Sequence, residues 1–167
     1  MNRTAWRQIL VLCVCFHSMA LRAEAPAAES FRVGILGSAP LGGFKDLASS
    51  SAGFGVAAGW RFWDMSPDCR VGLFLEHRVY STATDRAALT DLGVDLRTRI
   101  RGGFYNRLGL GGERVDFPGD RTTTKLGGVF GFGYRTSGPL GFELYTTHLA
   151  ASHPSATTLS AAVMWHF

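Results

Sequence analysis

The side chains best suited to chemistry in this sequence are its histidines, a serine close to two of them, and a large set of arginines and carboxylates. The stretch Thr147-His148-Leu149-Ala150-Ala151-Ser152-His153-Pro154 brings a hydroxyl near an imidazole, the pairing used when a base activates a nucleophile. Its spacing is wrong for an extended chain, where residues two apart share a face and position 150 is alanine. No carboxylate follows Glu143, so the acid that would orient the base is missing locally. His77, His148, His153 and His166 lack the spacing to cysteine or carboxylate partners that metal ligation uses. Gly109, Gly111 and Gly112, and Gly131 and Gly133, form no phosphate or dinucleotide fingerprint. These residues therefore predict no catalytic site, metal or cofactor.

The charged residues form the larger pattern. Arg32, Arg61, Arg70, Glu76, Arg78, Asp91, Asp95, Arg97, Arg99, Arg107, Glu113, Lys125, Arg135 and Glu143 occupy one parity of successive alternating segments. The opposite parity is apolar. Such alternation predicts strands over 30–37, 52–62, 69–80, 89–100, 104–117, 123–135, 140–149 and 157–167. The fourth is the clearest: Leu92, Val94, Leu96 and Ile100 alternate with Asp91, Gly93, Asp95, Arg97 and Arg99. In the fifth the phase shifts, because Val115 and Phe117 share the parity of Glu113, and a bulge near Gly111-Gly112 would account for it.

A soluble sandwich would bury the apolar face and expose the charged one. A membrane barrel inverts this. The polar face here is rich in glycine and arginine, which suits a cramped interior where glycine relieves crowding and arginine–carboxylate pairs fill the rest. Strands of about 9–11 residues match a tilted span of a bilayer. Connections alternate: 38–51, 81–88, 117–122 and 149–156 are longer polar links, and 63–68, 100–103 and 135–139 are tight turns. Long outer loops and short periplasmic turns are the usual asymmetry of such barrels. Phe31, Phe62, Phe104, Tyr134, Phe142 and Phe167, with Trp60, Trp63, Tyr105 and Trp165 near them, would then form an aromatic girdle at the periplasmic rim.

Residues 1–25 read as a secretory signal: Arg3 and Arg7, an apolar run from Ile9 to Leu21, then small residues around Ala23-Glu24-Ala25. Cleavage could follow Ala23, Ala25 or Ala27; a single membrane anchor is the other reading of this run. The domain proper is then 26–167. Removing the signal takes three arginines and one glutamate, leaving 14 basic and 12 acidic side chains, a net charge of +2. The pI of 9.3 is thus partly a property of the leader and gives no case for nucleic-acid binding. Cys69 would be the one cysteine left, which excludes an internal disulfide. A mean hydropathy of +0.08 and the lack of any later run of 18 apolar residues argue against a membrane-spanning helix.

The last segment, Leu159-x-Ala161-x-Val163-x-Trp165-x-Phe167, ends on an aromatic residue behind alternating apolar positions. It resembles the last-strand signal by which outer-membrane barrels are recognised for assembly, carried here by Leu159, Val163, Trp165 and Phe167. With the leader and eight alternating segments, the chain resembles the small OmpA/OmpX-type barrels. That resemblance implies an all-β, antiparallel up-and-down transmembrane barrel of about eight strands in the bacterial outer membrane. Its implied partners are outer-membrane lipid, lipopolysaccharide, the barrel-assembly machinery and an extracellular ligand.

The resemblance implies a structural, adhesive or surface-interaction role, with the lumen plugged by ion pairs or, alternatively, acting as a narrow solute channel. The segment around His148 also resembles the catalytic region of lipid A deacylases, without their His-x-Ser-Asn motif; deacylase-like activity is the enzymatic alternative. The longest loop, 38–51, carries Phe44 and Lys45, the residues expected to meet a partner.

Overall fold

Alternating apolar and polar side chains favour extended chain, because successive Cβ atoms point to opposite faces. The computed structural model describes residues 30–47, 52–82, 86–116, 122–149 and 157–167, and the structure below is that of these residues. They form eight strands: β1 (Phe31–Leu41), β2 (Gly53–Ser66), β3 (Cys69–Ser81), β4 (Arg86–Arg101), β5 (Phe104–Asp116), β6 (Thr123–Arg135), β7 (Leu140–Leu149) and β8 (Thr157–His166). One short helix, α1 (Gly43–Leu47), follows β1. The expected leader over 1–25, Phe117 and the segment Ala150–Pro154 lie outside the described residues.

Every strand pairs antiparallel with the next, and β8 returns to β1 from Arg32–His166 through Leu41–Thr157. The sheet is closed, so no strand edge is left to pair with another chain. Connections of two, two and four residues (67–68, 102–103, 136–139) join strands at one end. Gly102 takes one of these turns with φ near 55°, a backbone conformation that glycine adopts without penalty. At the other end 42–52, 117–122 and 150–156 are longer, and 82–85 has four residues. Both β1 and β8 begin or finish at the tight-turn end.

The barrel is apolar outside. Ile35, Phe54, Val56, Leu92, Leu110, Leu126, Phe130 and Leu144 all point outward and are exposed. On β6 this face runs from Leu126 to Tyr134; eight steps of about 3.3 Å at about 40° of tilt span roughly 20 Å, close to the apolar band of a membrane barrel. At the tight-turn end Trp60, Phe62, Trp63, Phe104, Tyr134, Phe142, Trp165 and Phe167 are exposed and outward. Phe104 and Tyr134 meet with ring centroids 4.7 Å apart, and Trp60 and Phe62 at 6.1 Å. Tyr105, expected in this girdle, instead turns inward and donates to Glu143 Oε1 at 2.7 Å.

Two local expectations are corrected. No bulge occurs at Gly111-Gly112: β5 stays in continuous register with β4 from Asp116 to Tyr105 and with β6 from Val115 to Phe104. The phase of the apolar residues changes because Val115 points inward beside Glu113's side of the strand, into an apolar cluster. Irregular pairing falls instead at the tight-turn ends of β2 (Arg61/Trp63 and Asp64/Ser66) and β4 (Arg99/Arg101). The first loop is also shorter than 38–51, since β1 continues through Leu41 and α1 takes up the next residues.

Candidate functional site

A charged side chain inside a closed barrel must be paired, because an isolated buried charge is very costly. The inward parity of β3, β4, β5 and β7, with Arg32 of β1, brings such charges together at mid-height. Asp95 Oδ2 lies 2.7 Å from Arg32 Nη2, 2.9 Å from Arg107 Nε and 3.1 Å from Arg97 Nε. Glu143 receives Arg97 Nη1 at 2.7 Å and Arg107 Nη1 at 3.1 Å, with Arg32 Nη1 at 3.9 Å. Arg107 Nη2 also reaches Glu76 Oε1 at 2.8 Å, so one guanidinium bridges three carboxylates. Its cationic carbon sits 4.9 Å from the Phe74 ring centroid and 4.8 Å from that of Tyr145, within cation–π range.

Toward the long-loop end the network continues through Arg78. Its guanidinium pairs with Asp91, lies 3.7 Å from Glu76, and donates to Thr147 at 3.0 Å and Thr158 at 2.6 Å. Glu113 is buried here and stands directly across from Lys125. Above it Tyr80 donates to Ser38, which hydrogen-bonds Ser160. An apolar lid lies at this end: Phe44, Tyr80, Ala87, Leu89, Val115 and Leu149 form one buried cluster. Phe44 is 1% exposed and meets the Tyr80 ring edge-on at 5.0 Å. The expectation that Phe44 contacts an outside partner is therefore corrected: α1 folds its aromatic ring into the barrel, where burial of the ring is more favourable than exposure, and Lys45 stays exposed.

The opposite mouth is different. Arg61, Arg70, Arg99 and Arg135, all expected in the lumen, line a cavity of about 450 Å³ that opens among the tight turns. Arg61 lies 3.5 Å from Asp64, and Arg99 lies 3.6 Å from Asp68. The interior is also not uniformly charged. Leu36, Ala57, Val129, Ala162 and Met164 form an apolar seam with Phe74 and Tyr145.

Sequence reasoning missed the interior aromatics Phe74, Tyr80 and Tyr105 and the hydroxyls Ser38 and Thr158, while parity along the last two strands already set Tyr145, Thr147 and Ser160 on the inner face. A signal for the aromatics did exist. Phe74, Tyr80, Tyr105 and Tyr145 each pair directly with a glycine, namely Gly93, Gly53, Gly133 and Gly131. Register was needed to see it.

On the outer face His148 is exposed, its Nδ1 2.9 Å from Thr157 Oγ1; His77 makes the same contact with Thr90 at 2.9 Å. A hydroxyl orients each imidazole, and among the described residues no hydrogen bond or ion pair joins either ring to a carboxylate. Among the described residues no three metal-ligating side chains cluster. Leu159, Val163, Trp165 and Phe167 line the outer face of the last strand and its end. Cys69 is buried beside Thr98, whose hydroxyl lies 3.8 Å from Sγ.

No family model matches the chain, and no curated protein sequence matches it. Solved structures do. The N-terminal β-barrel domain of Pseudomonas aeruginosa OprF is similar at TM-score 0.57 and 16% identity, covering 83% of this chain and 98% of that one. The Yersinia pestis outer membrane protein Ail, in a phospholipid bilayer nanodisc, is similar at TM-score 0.58 and 10% identity, covering 84% and 100%. Ail has also been solved in complex with the heparin analogue sucrose octasulfate, similar at TM-score 0.55 and 14% identity over 83% and 97%. At these identities the likeness is one of fold: this chain is a closed eight-stranded antiparallel barrel of the kind found in small outer-membrane proteins.

Proposed function

We propose that this protein is an integral outer-membrane barrel with a structural, adhesive or surface-interaction role, exported by residues 1–25 and closed to general solute flow. The observation that carries this reading is its inverted polarity. An apolar outer band surrounds a lumen in which Arg32, Arg97 and Arg107 are tied to Asp95 and Glu143. Such a surface is stable in lipid and would aggregate in water. Eight strands leave an interior barely wide enough for its own side chains, and here those side chains are joined across it.

On this reading the long-loop end faces outward, and a partner meets residues 42–52, 82–85, 117–122 and 150–156, with Lys45 as a described, exposed cation among them. Ail's complex with a polysulfated sugar supports an anionic surface ligand as the class to try first. Outer-membrane lipid and lipopolysaccharide surround the apolar band, and the assembly machinery reads Leu159, Val163, Trp165 and Phe167. The His148–Thr157 pair supplies no carboxylate-oriented base, which favours a non-enzymatic role over deacylation.

Membrane fractionation followed by gels of heated and unheated samples tests the assignment. A folded, heat-modifiable band in the outer-membrane fraction is expected; a soluble periplasmic protein would overturn it. In planar bilayers no large stable conductance is expected, and its appearance would refute the closed lumen. Lipid A mass spectra should be unchanged by the protein, and acyl-chain loss would restore the enzymatic reading.

A further inference from the structure

The arginines of the tight-turn mouth are arranged in a way that the ion-pair network does not explain. Arg70 of β3 pairs directly with Arg97 of β4, and Arg97 pairs directly with Arg107 of β5. Like charges directly opposite on neighbouring strands destabilise a sheet. Asp95, Glu143 and Glu76 compensate Arg97 and Arg107, but they lie on the inner side of the row. Arg70, the outermost member, faces the like charges of Arg61, Arg99 and Arg135, and Asp64 stands across from it as a counter-charge. Two inner donors that line the same cavity, Arg32 Nε and Arg97 Nη2, are buried without a hydrogen-bond partner among the described residues.

We infer that this mouth is a binding pocket for a phosphate-bearing anion, held among Arg61, Arg70, Arg99 and Arg135. The volume of about 450 Å³ falls within the range of small-ligand pockets, roughly 300–1,000 Å³. Guanidinium groups from four strands converge on it, and their planar forks match the oxygens of a phosphate group. Two sources share that chemistry, a lipid headgroup at the rim and a soluble phosphate anion. The side of the membrane it faces follows from the orientation proposed above, whereas the pocket's chemistry does not depend on it.

The test uses the folded protein in phosphate-free maltoside micelles, titrated calorimetrically with inorganic phosphate and pyrophosphate at constant ionic strength. Saturable binding is expected, tighter for pyrophosphate. Arg70→Gln removes a charged donor and should weaken it about tenfold. Asp68→Asn removes a carboxylate that competes for Arg99 and should tighten it, a gain that misfolding cannot mimic. Unheated gels verify that both variants keep the folded band. Absence of saturable binding, or affinities unmoved by both substitutions, overturns the inference. Repeating the titration in nanodiscs that contain phosphatidylglycerol separates the sources. Competition that lowers the apparent affinity assigns the pocket to a lipid headgroup, and an unchanged affinity assigns it to a soluble phosphate.

Discussion

Phe74 of β3 stands directly across from Gly93 of β4, and its ring fills the space a side chain at Gly93 would need. A Cβ there would lie 2.8 Å from Phe74 Cε1 and 2.6 Å from Gly111 Cα. Ring and backbone cannot both withdraw, so Gly93→Val should destabilise the barrel by about 1–3 kcal/mol or more. Gly37, on the outer face, has nothing within 4 Å of the same added atom, and Gly37→Val should be neutral within about 0.5 kcal/mol. Urea unfolding in lipid vesicles measures both; equal midpoints for the two variants would contradict this account of the glycines.

Asp95 accepts from three arginines through one oxygen, so its removal takes a counter-charge from all three at once and leaves the buried cluster with an uncompensated positive charge. Asp95→Ala should cost about 3–5 kcal/mol, the range for breaking a buried pair from one side. Replacing Arg107 by Met as well should recover part of the loss, because it removes one of the uncompensated charges. A double variant less stable than Asp95→Ala alone would count against this network.

The apolar lid makes the first loop a structural element as well as a surface. Phe44→Ala empties a site against Tyr80 and Leu89 and should cost about 3 kcal/mol, while Lys45→Ala leaves stability unchanged. Deleting Gly42–Ala48 should lower the unfolding midpoint along with any ligand binding, since it removes Phe44. A deletion variant as stable as the parent would show that the lid contributes nothing.

Cys69 is enclosed between strands at the start of β3. The folded barrel should react slowly with a maleimide, and urea should expose the thiol in step with loss of the unheated band. Rapid labelling of the folded protein would show that this end of β3 frays.

Much of the architecture was legible from the chain. Period-2 alternation in Leu92-Gly93-Val94-Asp95-Leu96-Arg97 states a strand and its two faces without reference to any other segment. The strand ends were less legible: β1 runs on through Leu41, and β2 through Ser66, because pairing with a neighbour extends a strand past its own alternating pattern. Val115 shows the same limit. Its inward turn looked like a shifted phase until Phe44, from another segment, supplied the apolar surroundings.

The charge set of the lumen was likewise visible as a set, while its partners were not. Parity alone assigns Arg32, Arg61, Arg70, Arg97 and Arg99 to the inside. Whether an arginine is bridged by carboxylates, as Arg107 is, or crowded by other arginines, as Arg70 is, depends on register and height across several strands.

Alternation, glycine content and the aromatic strand ends thus determined a closed barrel with an apolar exterior, because they are local properties of the chain. The tertiary structure decided what fills the interior: the glycine opposite Phe74, Tyr80, Tyr105 and Tyr145, the carboxylates shared at mid-height, and the arginine mouth. Those depend on which residues face one another across the lumen, and closure of the sheet is what brings them together.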